Sequence, residues 1–256
     1  MPEPKKCPFS VVLENVTFAY GGNSALKSVS LEVRKQERFG IIGPSGAGKS
    51  TLLLHLNGLL RGEGRVIIEG LELRKENLAE IRKRVGLVFQ NPDDQLFNPT
   101  VEEDIAFGLL NMEISKEKIR IRIKDTLRLM NLEGLEGRSS HHLSFGERKR
   151  VALATVLAMQ PDVIAFDEPF SNLDPATIKQ FIKTIKDLDA TVLIVSQQIL
   201  PVLACCDRIA VMNEGTILKV GSPDEIMADK TLLRKCRLDI SFYADILSCF
   251  IHKNCR

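Results

Sequence analysis

The chain has 256 residues, of which 44% are hydrophobic, and 35 Lys and Arg against 33 Asp and Glu give a formal net charge of +2. This length can bury a full core, so we expect one compact unit with subdomains. The balanced charge gives no support for nucleic acid binding. Apolar runs stay short of the about 18 residues that span a membrane, so any membrane contact is expected through partner proteins. The six cysteines include no Cys-x2-Cys pair and are expected to be free thiols.

The N-terminal region predicts an antiparallel β-layer. Apolar and polar residues partly alternate over residues 11–18 and again over residues 29–33, which is the pattern of half-buried strands. Gly21, Gly22 and Asn23 lie between the two runs and supply turn chemistry. Two antiparallel strands are therefore expected ahead of the glycine-rich loop that follows.

That loop lies between a strand-like run at residues 38–42 and a helix-like run at residues 52–57. Its Gly-x4-Gly-Lys-Ser spacing lets backbone N–H groups wrap a polyphosphate, while the lysine neutralises charge on the β- and γ-phosphates and the serine hydroxyl reaches Mg²⁺. The N-terminal end of the next helix favours the same anion. The predicted nucleotide-binding residues of the loop are Gly43, Pro44, Ser45, Gly46, Ala47, Gly48, Lys49, Ser50 and Thr51.

The rest of the chain alternates strands with helices. The predicted strands are residues 65–68, 85–89, 163–166 and 191–196. The predicted helices are residues 100–111, 115–131, 174–188 and 199–205, and a further helix is opened by the capping box of Ser144 and Glu147. This alternation implies an α/β fold with a mostly parallel sheet and a site at the carboxyl ends of its strands.

The pattern divides the chain at about residue 230. Residues 1–230 are expected to form the nucleotide-binding domain, in which residues 95–160 are a helical subdomain. Residues 231–256 are expected to form a short helical extension, with a frayed tail as the alternative.

Two acidic residues, Asp167 and Glu168, directly follow the apolar run at residues 163–166. Mg²⁺ prefers oxygen ligands, and a water that attacks the γ-phosphate must be oriented. We expect Asp167 to hold Mg²⁺, directly or through water, and Glu168 to polarise that water. The pair could instead cap a helix, but its combination with the upstream loop favours the catalytic interpretation.

A second anion-binding device is predicted at residues 144–147, although a plain capping box would explain the same residues. Taken together, five motifs in this order resemble the ATP-binding-cassette (ABC) ATPases over about residues 9–225. The motifs are the phosphate loop, Gln90, the signature at residues 143–147, the strand and acids at residues 163–169, and residues 171–174. The resemblance implies a P-loop NTPase core with an antiparallel β-subdomain and a helical subdomain.

The resemblance also implies roles for single residues. In this family two ATPase units pair head to tail, and each ATP lies between the phosphate loop of one unit and the signature of the other. Tyr20 would then stack on adenine, unless its ring only fills strand packing. Gln90 would touch Mg²⁺ and the transmembrane partner. Ser144 and Gly146 would close on the partner's ATP, and Asp174 would lie at the dimer seam.

Residues 88–108 closely resemble the segment after the Q-loop in energy-coupling-factor (ECF) transporter ATPases and their cobalt-importer relatives. This similarity implies ATP hydrolysis coupled to the uptake of vitamins or transition-metal ions, at the cytoplasmic face of the cell membrane. The implied partners are a second, paralogous ATPase, a transmembrane T-component and a substrate-binding S-component. The C-terminal extension would help the ATPases dimerise.

Three positions depart from the family pattern. Phe145 and Glu147 replace a glycine and a glutamine of the signature, and Gln197 stands where the family has its switch histidine. An amide can still bond a γ-phosphate oxygen, but it cannot become cationic. Gln197 is expected to act at the catalytic site, and a nucleotide-binding subunit that hydrolyses little stays open as an alternative. A non-transport cassette acting in DNA repair or on ribosomes is disfavoured, because the chain has one cassette and only a short helical insert.

Overall fold

A computed structural model describes residues 8–112 and 114–240 of the chain, and these residues form two sheets. The strands within this part are β1 (Phe9–Tyr20), β2 (Asn23–Arg34), β3 (Arg38–Ile42), β4 (Glu63–Ile68), β5 (Leu71–Glu72), β6 (Val85–Val88), β7 (Val163–Asp167), β8 (Thr191–Ser196), β9 (Arg208–Asn213) and β10 (Thr216–Gly221).

The smaller sheet is the predicted antiparallel layer. Its four strands run in the order β2-β1-β4-β5, with β1 antiparallel to both β2 and β4. The turn between β1 and β2 uses Gly21 and Gly22 at φ values of 51° and 90°, which residues with a Cβ adopt only at a cost. The expected turn chemistry is therefore confirmed.

The larger sheet has the order β10-β9-β3-β8-β7-β6, and its strands from β9 to β6 pair in parallel. Strand β10 runs antiparallel to β9, as the second arm of a hairpin. Because the parallel strands point the same way, the phosphate loop after β3 and the acids at the end of β7 reach the same edge. The predicted α/β class with a mostly parallel sheet is confirmed.

Side chains cap the start of several helices. Capping boxes pair Thr100 with Glu103 and Ser144 with Glu147, and Asp174 caps a helix that has proline at its first position. The helices described are α1 (Lys49–Leu56), α2 (Leu78–Arg84), α3 (Val101–Leu110), α4 (Lys116–Leu129), α5 (Phe145–Leu157), α6 (Pro175–Asp187), α7 (Ile199–Cys205), α8 (Pro223–Ala228) and α9 (Lys230–Lys235). The first helix begins three residues before its predicted start, because Lys49, Ser50 and Thr51 already belong to it.

Two hydrophobic clusters lie on the two faces of the larger sheet. Ile164 and Phe166 of β7 pack in the cluster with α3, α5 and α6, while Val163 and Ala165 pack in the cluster with β1, β2 and α1. Both faces of this strand are covered, so its apolar residues run continuously instead of alternating. The buried layer fixes where β7 ends and hence where its acids project.

The C-terminal part is described only as far as residue 240. Helix α9 begins at Lys230, one residue before the predicted extension, and residues 241–256 are outside the described part, so the domain division stays a prediction. Cys205, Cys206 and Cys236 are free thiols, as expected. Among the residues described, none of the helices combines the length and hydrophobicity that crossing a membrane requires.

Candidate nucleotide-binding and hydrolysis site

Two glycines of the phosphate loop, Gly43 and Gly48, lie where a Cβ would collide with neighbouring backbone. Gly48 caps α1 in the left-handed region at φ 99°, and a Cβ there would lie 2.4 Å from the Ala25 carbonyl oxygen. A Cβ on Gly43 would lie 2.1 Å from the carbonyl oxygen of Met212. The loop backbone is therefore packed closely against the neighbouring segments. Without side chains at the glycines, its N–H groups can also approach an anion closely.

Lys49 is the cation of this loop and only 6% of its surface is exposed. Its Nζ donates to the carbonyl oxygens of Gly43 at 2.8 Å and Pro44 at 3.0 Å. Burial lowers the pKa of Lys49, while the carboxylates of Glu168 and Asp167 oppose that shift. The ammonium group is thus held inside the loop and faces two acids from another strand.

Ser50 and Asp167 form the oxygen-rich part of the site. The Ser50 hydroxyl donates to Asp167 Oδ1 at 3.0 Å and so joins the start of α1 to the end of β7. Burial raises the pKa of Asp167, and the Ser50 hydrogen bond counteracts this. A hydroxyl and a carboxylate beside a phosphate loop are the donors that Mg²⁺ uses together with phosphate oxygens, so these residues fit the ion.

Glu168 is fixed by hydrogen bonds from the neighbouring strand β8. Its carboxylate accepts from the Ser196 hydroxyl at 2.8 Å and from the Gln197 backbone N–H at 2.8 Å. It lies 3.9 Å from Lys49 Nζ. The backbone of Glu168 has a left-handed φ of 45°, and its N–H donates to the carbonyl of Val195. A buried carboxylate held in this way is suited to orienting a water.

Comparison with known proteins now identifies the family. The model of the ABC transporter family matches residues 26–171. The chain belongs to the ABC transporter ATPases. It is 44% identical to the energy-coupling factor transporter ATP-binding protein EcfA of Methanocaldococcus jannaschii, over 93% of this chain and 88% of that protein. It is also 42% identical to EcfA1 of Methanospirillum hungatei, over 92% of this chain and 87% of that one.

Solved structures agree with this assignment. CbiO1 of Clostridium perfringens, described as part of the ABC transporter complex cbiONQ, has a TM-score of 0.80 and 34% identity, covering 94% of this chain and 100% of CbiO1. A dimeric ATP-binding cassette in a post-hydrolysis state, bound to ADP and Pi, has a TM-score of 0.74 and 30% identity, covering 83% of this chain and 98% of that one. The chain is therefore an ABC ATPase with a P-loop NTPase fold, as its sequence implied.

The ABC signature lies at the exposed start of α5, and its hydrogen bonds are local. The Ser144 hydroxyl donates to Glu147 Oε2 at 2.6 Å and accepts from the Glu147 N–H at 3.3 Å. The bond from the Ser144 hydroxyl and a second one from the Ser144 backbone N–H lower the pKa of the Glu147 carboxyl group. A Cβ added to Gly146 would meet only the Thr177 methyl carbon, at 3.9 Å. The turn is held by hydrogen bonds between its own residues, and the space beside Gly146 leaves room for a ligand.

Tyr20 and Gln90 lie at the margins of the site. Tyr20 ends β1 with 48% of its surface exposed, and its ring meets Phe18 edge to face at 4.8 Å between centroids. The exposed face leaves the ring available to stack on a base. Val88 pairs with Phe166, so Gln90 and Glu168 each lie two residues beyond a paired position at the same sheet edge. Gln90 itself is exposed.

Gln197 takes part in the site through its backbone, which donates to Glu168, while its side chain is exposed. The structure also contains two contributors that the sequence did not single out. The Ser196 hydroxyl donates to Glu168. The sequence signal for this role is a hydroxyl residue at the end of a fully buried strand. Gln95 accepts from the Phe89 N–H and donates to the Ala152 carbonyl at 2.7 Å, so it ties the segment after β6 to α5.

Proposed function

We propose that this ABC ATPase powers an ECF-type importer for vitamins or transition-metal ions. The hydrolytic part of the proposal is carried by Glu168, whose carboxylate is held by Ser196 and the Gln197 N–H at 3.9 Å from Lys49. The importer part is supported by the similarity to EcfA and to CbiO1. Binding and hydrolysis of ATP would move membrane partners between conformations.

The residues of the phosphate-loop side would divide the work as follows. Backbone N–H groups of the loop and Lys49 bind the phosphates, while Ser50 and Asp167 hold Mg²⁺, with Gln90 reaching it from the next strand. The ion supplies charge neutralisation on the phosphate oxygens. Glu168 orients the attacking water, and the Gln197 side chain donates to the γ-phosphate. Tyr20 stacks on the adenine.

The other half of each ATP site would come from a second chain. Ser144 and Gly146 of the signature would close on the ATP of a paralogous ATPase, and Asp174 would lie at the seam between the two. The dimeric cassette with ADP and Pi bound supports an arrangement of paired cassettes. In this assembly the chain would be a peripheral protein at the cytoplasmic face of the membrane, in contact with it through the T- and S-components.

An exposed aromatic pair beside the Gln90 segment is suited to contact the T-component. Phe97 has 63% of its surface exposed and meets Phe107 edge to face at 4.9 Å between centroids. Leu110 is also exposed, one turn further along α3. Large exposed apolar side chains grouped in this way mark contact surfaces on many proteins.

Affinity purification from native membranes tests the importer. We expect the tagged chain to recover an integral membrane protein of the T-component type and a second ATPase. Phe97→Asp is expected to lose the membrane protein but keep the fold. Leu129→Asp serves as the matched control, because Leu129 is equally exposed, at the end of α4. Recovery of no integral membrane protein with the unmodified chain would refute the importer.

A second candidate function follows from Gln197. A neutral amide cannot supply the positive charge that a histidine offers as charge develops on the γ-phosphate. The chain would then be the weakly hydrolysing member of an unequal pair, and its main role would be to bind ATP and hold the dimer. Turnover of Mg-ATP by the purified chain at a rate that Gln197→His does not change would exclude this version.

A further inference from the structure

Lys149 is a buried cation that lies outside all of the motifs described above. It is the fifth residue of α5, and 4% of its surface is exposed. Its Nζ donates to the carbonyl oxygens of Glu168 at 3.2 Å, Pro169 at 2.9 Å and Ser171 at 2.9 Å, and the Ser171 hydroxyl lies at 3.2 Å. An ammonium group has three protons to donate, so these acceptors satisfy it completely.

The acceptors all belong to the loop that carries the catalytic carboxylate. Glu168 has a left-handed backbone conformation, which a residue with a Cβ keeps only when its surroundings impose it. Its carbonyl oxygen accepts from Lys149 and from the Ser171 hydroxyl at 2.9 Å, and its N–H donates to Val195. Lys149 is therefore one of the groups that hold this backbone conformation.

The same side chain also contacts the signature. Its Nζ lies 5.4 Å from the centroid of the Phe145 ring, which is within the range of a cation–π interaction. Phe145 is flanked by Ser144 and Gly146, the residues expected to close on the partner's ATP. One buried lysine thus joins the signature turn to the Glu168 loop.

Burial has a physical consequence for this cation. Desolvation lowers the pKa of Lys149 to about 8, and the Glu168 carboxylate opposes the shift. A buried cation is tolerated only when its donors are paired, so the ammonium group keeps its place through the loop carbonyls and the loop keeps its shape through the ammonium group. Movement of either partner is transmitted to the other.

We propose that Lys149 is a positioning residue for ATP hydrolysis, which holds Glu168 in place from the signature turn and so couples the two ATP sites of a dimer. This inference rests on the proposed roles of Glu168 and the signature. In a head-to-tail dimer these two elements of one chain belong to different ATP sites. A shift of the signature turn on one ATP therefore moves the carboxylate that serves the other.

The test uses the purified full-length chain and Lys149→Met, which removes the charge and all donors but keeps an unbranched side chain. We expect kcat to fall by roughly 10²-fold, the effect of misplacing a catalytic group by about 1 Å, with the KM for ATP unchanged. Lys149→Arg keeps a cation with donors and should restore most of the rate. In a Glu168→Gln background, Lys149→Met should also weaken the ATP-bound dimer in gel filtration.

Arg148→Met is the matched control from the same helix. Arg148 also lies over the Phe145 ring, at 5.7 Å, but its other contacts are with Asp93 and the Leu143 carbonyl rather than with the Glu168 loop. We expect this variant to keep its rate. An equal loss in Arg148→Met and Lys149→Met would assign the effect to packing around Phe145 and overturn the inference.

The possible failures are distinguishable. If Glu168→Gln abolishes hydrolysis but Lys149→Met retains the wild-type rate, the positioning role is wrong while the proposed function stands. If Glu168→Gln itself retains the wild-type rate, the proposed role of Glu168 fails. If Lys149→Met is unfolded at the assay temperature, Lys149→Gln and Lys149→Arg decide the matter: a slower Gln variant at unchanged KM supports the inference, and equal rates refute it.

Discussion

The two faces that would meet ATP are built in different ways. On the phosphate-loop face, Lys49 and Glu168 are buried. Lys49 donates to two carbonyls of its own loop, while the Glu168 carboxylate accepts from Ser196 and the Gln197 N–H of another segment. On the signature face, the side chains of Ser144 and Glu147 bond each other at the start of their own helix, and Ser144 is exposed. The first face is preorganised by the fold, as electrostatic catalysis requires. The second is a self-capped helix end, which is suited to docking on a surface supplied by another chain.

The largest effect is expected from Glu168→Gln, which removes the carboxylate from the phosphate-loop face. The amide fills the same space, but it cannot accept a proton from water, so kcat should fall by about 10²- to 10⁴-fold. Binding of ATP should persist, and gel filtration with Mg-ATP should show a trapped dimer. Phosphate release and equilibrium ATP binding measure the two properties.

Asp162→Asn is the matched control for this variant. Asp162 is an exposed acid at the opposite end of β7, just before Val163. Its replacement should leave the rate unchanged. A Glu168→Gln protein that stays monomeric with Mg-ATP would count against the role given to Glu168.

A smaller effect is expected from Ser144→Ala on the self-capped face. Loss of the cap should lower the free energy of unfolding by about 1 kcal/mol. Hydrolysis should fall by roughly tenfold, the effect of losing a single hydrogen bond of about 1.4 kcal/mol to the partner's nucleotide. ATP affinity of the monomer should stay the same, since this face does not touch the chain's own nucleotide.

Ser222→Ala separates the two consequences. Ser222 forms the same capping box with Glu225 at the start of α8. Its replacement should cost similar stability in chemical denaturation without lowering hydrolysis. If both serine variants lower the rate equally, the loss reflects stability, and the signature would have no special part in hydrolysis.

The contrast between the faces also explains what the sequence could predict. The capping boxes at Thr100 and Ser144 involve residues three apart, so their spacing is enough to locate the helix starts. The hydrogen bonds of Glu168 with Ser196 and of Lys149 with Glu168 join residues 28 and 19 positions apart. Such contacts depend on how strands are ordered in the sheet, which periodicity does not specify. The motif of the first face was predictable, but the groups that hold it were not.

Gln197→His tests whether the phosphate-loop face is complete as it stands. A histidine at this position could donate to the γ-phosphate and become cationic as charge develops. We expect kcat to rise by a few-fold. This is less than the about 10²-fold that a single general acid–base group contributes, because the amide already supplies a hydrogen bond. Gln198→His is the control, because Gln198 is the next residue in the chain and is also exposed. An unchanged rate would mean that the existing amide already suffices.

The smallest effect concerns histidines, which again differ between the faces. His55, on α1 behind the phosphate loop, is buried, and its Nδ1 lies 2.7 Å from the Thr51 carbonyl oxygen. Burial holds the pKa of His55 below its ordinary value of 6.5, although the Thr51 bond opposes the shift. His141 and His142, just before the signature, are exposed.

A depressed histidine pKa means that the unfolded chain binds a proton more readily than the folded chain. The stability linked to neutral His55 is therefore fully present above pH 6.5 and is lost as the pH falls from there towards the lower folded pKa. We expect the free energy of unfolding, measured by denaturant titration, to fall less between pH 7.5 and pH 5 in His55→Leu than in the wild type. The control His142→Leu should show the same fall as the wild type. An equal loss in all three proteins would show that groups other than His55 cause the pH dependence and that the burial of His55 does not affect stability.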